Sequence, residues 1–397
     1  MQLINLSVRL ISNRTAQETD SSRMTARTIV SIETHPLRAT LPKVQRTSQG
    51  EFPAIEIVVV EVTTSDGLVG VGEALARRGA AGYARLIDEA LAPRVIGKDP
   101  ADRRAHWKAM RAVLSGRPGG QLVEAISAID IALWDIAGKA AGAPIHKLLG
   151  GIGRKEVAAY ASSINWLDDA TVEAEVASAL KAGFREIKVK LGHPLKDAIA
   201  RARLVRKLAG DDIALYVDAN WAYDVDDAMV VGKALCDLGF GFFEEPIAPH
   251  DREGYRRLAQ HLPIRLAAGE SDYVASEALM MLQDRSIGLI QPDVTRSGGI
   301  TETWRIAELA ASFHTAYAPH VGWSGAICVA ASLQLAAAAE TFRTFECMVY
   351  ANPLRDAFTH PVVGEGFQLV DGRLAVPQGP GLGIEIDRDA LQRFRIA

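Results

Sequence analysis

The chain has 397 residues, 48% of them hydrophobic and 23% charged, with a formal net charge of -4 and a pI near 6.2. It lacks the basic stripe that nucleic acid or an anionic membrane surface requires, so neither is expected as a partner. Its cysteines, Cys236, Cys328 and Cys347, form no close pair, which argues against a disulfide framework or a zinc knuckle and fits a cytoplasmic location; the longest apolar stretch, 325–339, is too short to span a bilayer.

Residues 1–27 lack the charged start and unbroken apolar run of a secretory signal and read as a loosely ordered leader. From 28 to 41 and from 55 to 64 the residues are β-branched and alternate, and Ser65-Asp66-Gly67 supplies a turn into 68–74, so a small antiparallel sheet is expected. Pro36, Pro42, Gly50 and Pro53 predict an irregular loop between the first two strands. Helical stretches follow over 81–96, 101–114 and 122–141, giving an α+β domain over 28–150.

Gly150, Gly151 and Gly153 end that domain, and strand candidates then come at 157–161, 186–190, 213–218, 241–244, 264–268, 287–291, 315–319 and 344–346, with helical periodicity between them. Lys190, Asp218, Glu244, Glu270, Asp293, His320 and Glu346 follow one another at gaps of 28, 26, 26, 23, 27 and 26. Such an interval holds one strand, a helix and two connections, so each residue takes the same place in a repeated β/α unit. In a closed parallel barrel, the C-terminal strand ends share one mouth, where enzymes of this architecture gather their chemistry. The barrel is expected over 151–353. The Gly- and Pro-rich segment 354–397 has no full unit and is expected to return to the first domain.

Alternation along 188–190 points Lys188 and Lys190 to one side and Val189 to the other. Alone, a KxK is usually a solvated strand; followed by acids at the same depth, it reads as inward-facing. Asp218, Glu244 and Glu270 would lie side by side, and bare acids so close repel one another unless a cation neutralises them. All-oxygen ligation favours Mg²⁺ over zinc. Glu245, next to Glu244, must face the other way. Asp293 and His320 end neighbouring strands, so the acid would fix the tautomer of the imidazole and raise its basicity. Trp166, Trp221 and Trp323 follow strand ends, where packing is the simpler role, and Gly298-Gly299 is given no site role.

The motifs KVK at 188–190, VDAN at Asp218, EEP at Glu244, GES at Glu270, PDVTRSGG at Asp293 and PH at His320 resemble those of the enolase superfamily, mandelate racemase subgroup, from about residue 28 to the end. The resemblance implies an α/β fold: an N-terminal α+β capping domain over a modified TIM barrel, (β/α)7β. It implies one Mg²⁺ held by Asp218, Glu244 and Glu270, acid/base roles for Lys190 and the His320-Asp293 pair, and substrate contacts from Lys188, Glu346, Ser162 and Asn220. It also implies a small carboxylate substrate and a homo-oligomer. The interval from His320 to Glu346 is longer than in mandelate racemase.

The implied first step is removal of the proton alpha to a carboxylate, giving an enolate. Return of the proton to the opposite face would make a racemase or epimerase of a 2-hydroxy acid; loss of a β-hydroxyl would make an acid sugar dehydratase. The polar and cationic loops, with Arg38, Lys43, Arg46, Thr47, Ser48, Gln49, Arg77 and Arg78, favour a polyhydroxy acid and therefore dehydration. A Schiff-base aldolase and a non-catalytic barrel are the readings from other classes.

Overall fold

The computed structural model describes residues 27–114, 119–164, 168–362 and 369–396. Nearly all of the 1–27 leader, and Trp166, lie outside the described residues. The first domain opens with an antiparallel sheet of β1 (Ile29–Thr47), β2 (Gly50–Thr64) and β3 (Val69–Leu75), in that order. The expected irregular loop is replaced by a long hairpin, because β1 and β2 pair from Ile29 and Thr64 out to Thr47 and Gly50. Its prolines fit for positional reasons. Pro36 and Pro42 lie on an edge strand, where a missing N–H costs no ladder bond, and the register shifts between Thr40 and Gln45. Pro53 lies on the part of β2 that extends past its pairing with β3.

α1 (Ala80–Leu86) runs on as a π-turn over 87–91 and a 3₁₀ turn over 92–94, instead of the single helix expected, with Pro93 removing a helical donor. α2 (Arg103–Arg111) and α3 (Gly120–Ala141) follow, then the short α4 (Ile145–Leu148). Strand β2 is buried on both faces with a period of two. Ile55, Ile57 and Val59 join the core shared with the barrel, while Val58, Val60 and Val62 join the core under α3. Each such side chain contributes about 1.5–3 kcal/mol on full burial. Gly70 and Gly72 let α3 press directly onto β3: a Cβ there would stand 2.2 Å from the carbonyl oxygen of Ala132 and 1.8 Å from that of Ala128.

The barrel alternates β4 (Glu156–Ile164), α5 (Asp169–Lys181), β5 (Glu186–Lys190), α6 (Leu195–Ala209), β6 (Ala214–Asp218), α7 (Val225–Asp237), β7 (Phe242–Glu244), α8 (Arg252–His261), β8 (Arg265–Ala268), α9 (Ala275–Asp284), β9 (Leu289–Ile290), α10 (Gly299–Ser312), β10 (Ala316–Tyr317), α11 (Ala326–Ala338) and β11 (Phe345–Met348). Its parallel strands run in the order β10-β9-β8-β7-β6-β5-β4-β11. The two ends of that row meet where Tyr317 donates to the carbonyl of Thr341 and accepts from the amide of Arg343. The fold is thus α/β, a (β/α)7β barrel with an α+β domain. β9 and β10 are shorter than expected because Pro292 and Pro319 follow closely and cannot donate to a ladder.

The tail crosses the molecule. After α12 (Pro353–Asp356), β12 (Thr359–His360) pairs with β14 (Glu385–Ile386), and β13 (Arg373–Ala375) pairs with the start of β4. α13 (Arg388–Phe394) then reaches the antiparallel sheet, where Arg388 pairs with Glu61 at 2.7 Å and the amide of Ile396 donates to Pro36. No helix among the described residues is long and apolar enough to cross a membrane.

Candidate active site

Backbone register sets the depth of the first group of polar residues. Lys190, Asp218 and Glu244 are paired partners across β5, β6 and β7, so they stand in one layer at the C-terminal end of the barrel. One layer below, Tyr160, Tyr216, Phe242 and Leu289 fill the interior and exclude water from beneath. Side chains alternate as the sequence pattern requires: Lys188 and Lys190 are buried among the polar groups, while Ile187, Val189 and Leu191 belong to the surrounding core.

Lys188 is fully buried and bridges two acids, with Nζ 2.7 Å from Glu244 Oε2 and 2.8 Å from Glu346 Oε1. Lys190 donates to Asp218. Asn220, held in the left-handed region, turns its amide to Asp218, with its backbone N–H at 2.8 Å and its side-chain nitrogen at 3.2 Å. Ser162 Oγ donates to Glu346 Oε1 at 2.8 Å, and the amide of Val321 donates to Glu346 Oε2 at 2.9 Å. On the far side, His320 Nδ1 stands 2.7 Å from Asp293 Oδ2, and Nε2 stands 3.1 Å from Glu270 Oε2. Asp293 is itself fixed by the amide and hydroxyl of Thr295, at 2.8 and 2.6 Å. All of the sequence-selected residues therefore meet in one buried network.

Asp218, Glu244 and Glu270 bring carboxylate oxygens within 4.8 Å of one another, all buried. Glu244 Oε1 accepts no hydrogen bond there, and Glu270 Oε2 has His320 Nε2 at 3.1 Å without an aligned hydrogen bond. Buried carboxyl oxygens short of donors are costly, and an all-oxygen set of this kind suits a hard divalent cation. The residues fit Mg²⁺. A second triad on the antiparallel sheet, Glu33, His35 and Glu61, is already engaged: His35 and Arg388 both bond Glu61.

Titration follows from this crowding. Burial and the neighbouring Asp218 carboxylate push Glu244 up to about 8. Glu346 is held well below the usual carboxylate range, because Lys188 and His320 outweigh its burial. Burial opposes the charge of His320, yet Glu270, Glu346 and Asp293 raise it to about 9. Lys190 is likewise raised: burial lowers it, but Asp218 wins. To accept a proton Lys190 must be neutral, which nearby cations would favour. With the protein's own groups alone, the unbalanced carboxylates set the opposite sign.

The first domain closes over this mouth. At the hairpin tip, Ser48 Oγ donates to the carbonyl of Ala219 at 2.9 Å and Gln49 Nε2 to that of Asn220 at 2.6 Å. Phe52 stacks on Trp323 with ring centroids 4.4 Å apart. Arg77 comes within 3.8 Å of Glu270. Trp221 donates to Glu245, whose buried carboxyl is raised by burial and by Glu270. A cavity of about 560 Å³ lies outside the barrel wall, between β1, α5 and the end of β11, and not over the carboxylates.

Several contributors escape sequence reasoning. Gln291 Nε2 donates to Glu244 Oε2 at 2.8 Å; its position just after β9 and two residues before Asp293 is a usable signal. The Gly298-Gly299 turn opens α10, whose first amides are taken by the first domain: Ser127 Oγ accepts from Gly298 and Asp130 from Thr301. Glu73, fully buried on β3, likewise accepts from the amides of Gly325 and Cys328 at the start of α11. Ser127 and Asp130 inside the otherwise apolar α3, and Glu73 on β3, are the trace these contacts leave in the sequence.

Known proteins match the chain across both domains. The N-terminal domain of mandelate racemase / muconate lactonizing enzyme proteins matches residues 25–150, and the enolase C-terminal domain-like family matches residues 171–390. The chain is 34% identical to D-galactarolactone cycloisomerase of Agrobacterium fabrum, over 93% of this chain and 99% of that one. It is also 34% identical to arabinonate dehydratase of Saccharolobus solfataricus, over 86% and 91%. Among solved structures, a racemase from Streptomyces coelicolor A3(2) with bound magnesium superposes with a TM-score of 0.85 at 29% identity, covering 93% of this chain and all of that one (100%). With both domains matched and the strand-end acids, lysines and histidine gathered in one buried network, the chain belongs to the mandelate racemase / muconate lactonizing enzyme family of the enolase superfamily.

Proposed function

We propose that this chain removes the proton alpha to the carboxylate of a sugar acid and then expels the β-oxygen, acting as a Mg²⁺-dependent hydro-lyase. One observation carries the reading: Lys190 and His320 border opposite ends of the carboxylate triad, the first against Asp218 and the second against Glu270. Asp218, Glu244 and Glu270 would hold Mg²⁺, which supplies positive charge to offset the negative charge that develops on the substrate carboxylate. Lys188, Ser162 and Glu346 form a linked row beside that position, and Asn220 adds a buried Oδ1 with no partner.

The steps balance. The α C–H bond breaks and its proton passes to Lys190 or His320. The enolate collapses: the carboxylate C=O re-forms, the C1–Cα double-bond electrons become a new Cα–Cβ double bond as the β C–O bond breaks, and the leaving hydroxyl takes a proton from the opposite group. Water departs, and the resulting enol tautomerises to a 2-keto acid. Asp293 holds His320 in one tautomer throughout. Where the β-oxygen belongs to a ring, the same elimination opens the ring without releasing water. The relatives named dehydratase and cycloisomerase support sugar acids as the substrate class.

The placement of a base on each side also favours a second reading, racemisation or epimerisation of a 2-hydroxy acid. Incubation with a panel of aldonic and aldaric acids and their lactones, with Mg²⁺ in deuterated water, separates the two. A 2-keto acid lighter than its substrate by one water supports dehydration. Deuterium at the α-carbon with no keto acid formed refutes it and supports the second reading.

A further inference from the structure

The three carboxylates are not held in the same way. Asp218 and Glu244 are the last residues of paired strands, each inside a backbone ladder. Glu270 is two residues beyond the end of β8, past Gly269, whose φ of 122° turns the chain out of the sheet. A Cβ at Gly269 would stand 3.0 Å from Ile290, so only glycine fits that turn comfortably. The segment that presents Glu270 therefore needs restraint from elsewhere.

Arg296 supplies it. The side chain is 5% exposed, and its NH1 donates to the backbone carbonyl of Glu270 at 2.7 Å. Its NH2 donates to the hydroxyl of Tyr273 at 3.1 Å, and its Nε to Glu124 Oε1 at 3.1 Å. Glu124 belongs to α3 of the first domain, and its other oxygen accepts from Tyr83. Next along, Ser297 Oγ donates to the carbonyl of Asp272 at 2.8 Å. The rigid guanidinium fork spans three partners that a lysine could not reach together.

We propose that Arg296 is a positioning residue for Glu270, and that its pair with Glu124 makes Mg²⁺ affinity depend on contact between the two domains. The proposal rests on the reading of Asp218, Glu244 and Glu270 as the Mg²⁺ ligands. Outer groups that orient metal ligands typically change metal affinity by about 10–100-fold when removed.

The test is a calorimetric Mg²⁺ titration of the full chain and its variants, with melting in EDTA as a check on folding. Arg296→Met is expected to weaken Mg²⁺ binding by about tenfold or more, Arg296→Lys by less, and Glu124→Gln by about three- to tenfold. Thr301→Val, which removes the 2.9 Å bond from Trp134 at another contact between the domains, is expected to lower the melting temperature and leave Mg²⁺ affinity unchanged. Equal weakening in Thr301→Val would mean that domain contact in general, not Arg296, sets the affinity, and would overturn the proposal. Wild-type affinity in folded Glu124→Gln and Arg296→Lys would overturn it too, even if Arg296→Met does not fold. Failure of the wild-type chain to bind Mg²⁺ would overturn the ligand reading and this proposal together, whereas binding lost in Asp218→Asn but kept in the Arg296 variants would overturn this one alone.

Discussion

The two halves of the barrel mouth are built differently. On β11, β4, β5, β6 and β7, the residues Glu346, Ser162, Lys188, Lys190, Asp218 and Glu244 sit on paired parallel strands, with one register shift, between Ala161 and Ile164 of β4. On the other half, Glu270, Asp293 and His320 lie past the last residues of β8, β9 and β10: Gly269 turns the chain out after β8, and Pro292 and Pro319 cut the ladders of β9 and β10 short. Side chains take over there: Thr295 fixes Asp293, Arg296 fixes Glu270, and Glu73 of the first domain caps the helix that follows His320. A sheet ladder sets position through the backbone and tolerates little adjustment. A half tied by side chains can be tuned, and it can sense the domain that covers it.

The largest expected effect tests whether both halves do chemistry. Lys190→Met, on the ladder side, and His320→Asn, on the tied side, should each lower kcat for keto acid formation about 10³-fold, within the range for loss of a positioned acid or base. Near-normal turnover by either variant would remove that residue from the mechanism.

Glu73 offers a pH test of the tied half. Burial raises its carboxyl from an ordinary 4.5 to about 7, although the amides of Gly325, Cys328 and Ile327 favour the charged form. Below 4.5, both folded and unfolded states are protonated and there is no penalty. As pH rises to about 7, the unfolded state ionises first and stability falls, by about 3 kcal/mol for a shift of this size. The stability of wild type relative to Glu73→Gln should fall by about that amount between pH 4.5 and 8 in urea melts. A difference that does not change with pH would contradict this.

Asp293→Asn should cost about 10²-fold in kcat by freeing the His320 ring, with Mg²⁺ affinity unchanged, since Asp293 is bonded to His320 and Thr295 and not to the triad. Loss of Mg²⁺ binding would mean that the histidine and metal positions are one unit. The smallest effect is at the lid. Phe52→Ala removes the stack on Trp323, worth about 1 kcal/mol, and should raise KM about fivefold with little change in kcat. An unchanged KM would show that the hairpin docks through Ser48 and Gln49 alone.

The ladder half was the more legible in sequence. Strand period and a repeat interval near 26 residues locate Lys190, Asp218 and Glu244 because backbone geometry alone sets them in one layer. The same interval reaches Glu270, Asp293 and His320, but nothing in it reveals what restrains them. Arg296 reads as one more loop arginine until Glu124 is known to lie against it, and that contact joins residues 172 positions apart. The long hairpin is not legible because its prolines break strands only where a partner needs the N–H, and edge position cannot be read from composition. The raised Lys190 shows a further limit: its sign depends on the sum of surrounding charges, which a motif does not give.

The central claim is that three buried carboxylates hold a Mg²⁺ that makes an α-proton removable. Exchange of the α-proton of a sugar acid in deuterated water, followed by proton NMR with and without Mg²⁺, tests it directly. The account predicts loss of the α-proton signal with Mg²⁺, with none in EDTA and none in Glu244→Gln. Exchange that persists in EDTA, or in Glu244→Gln, would contradict it.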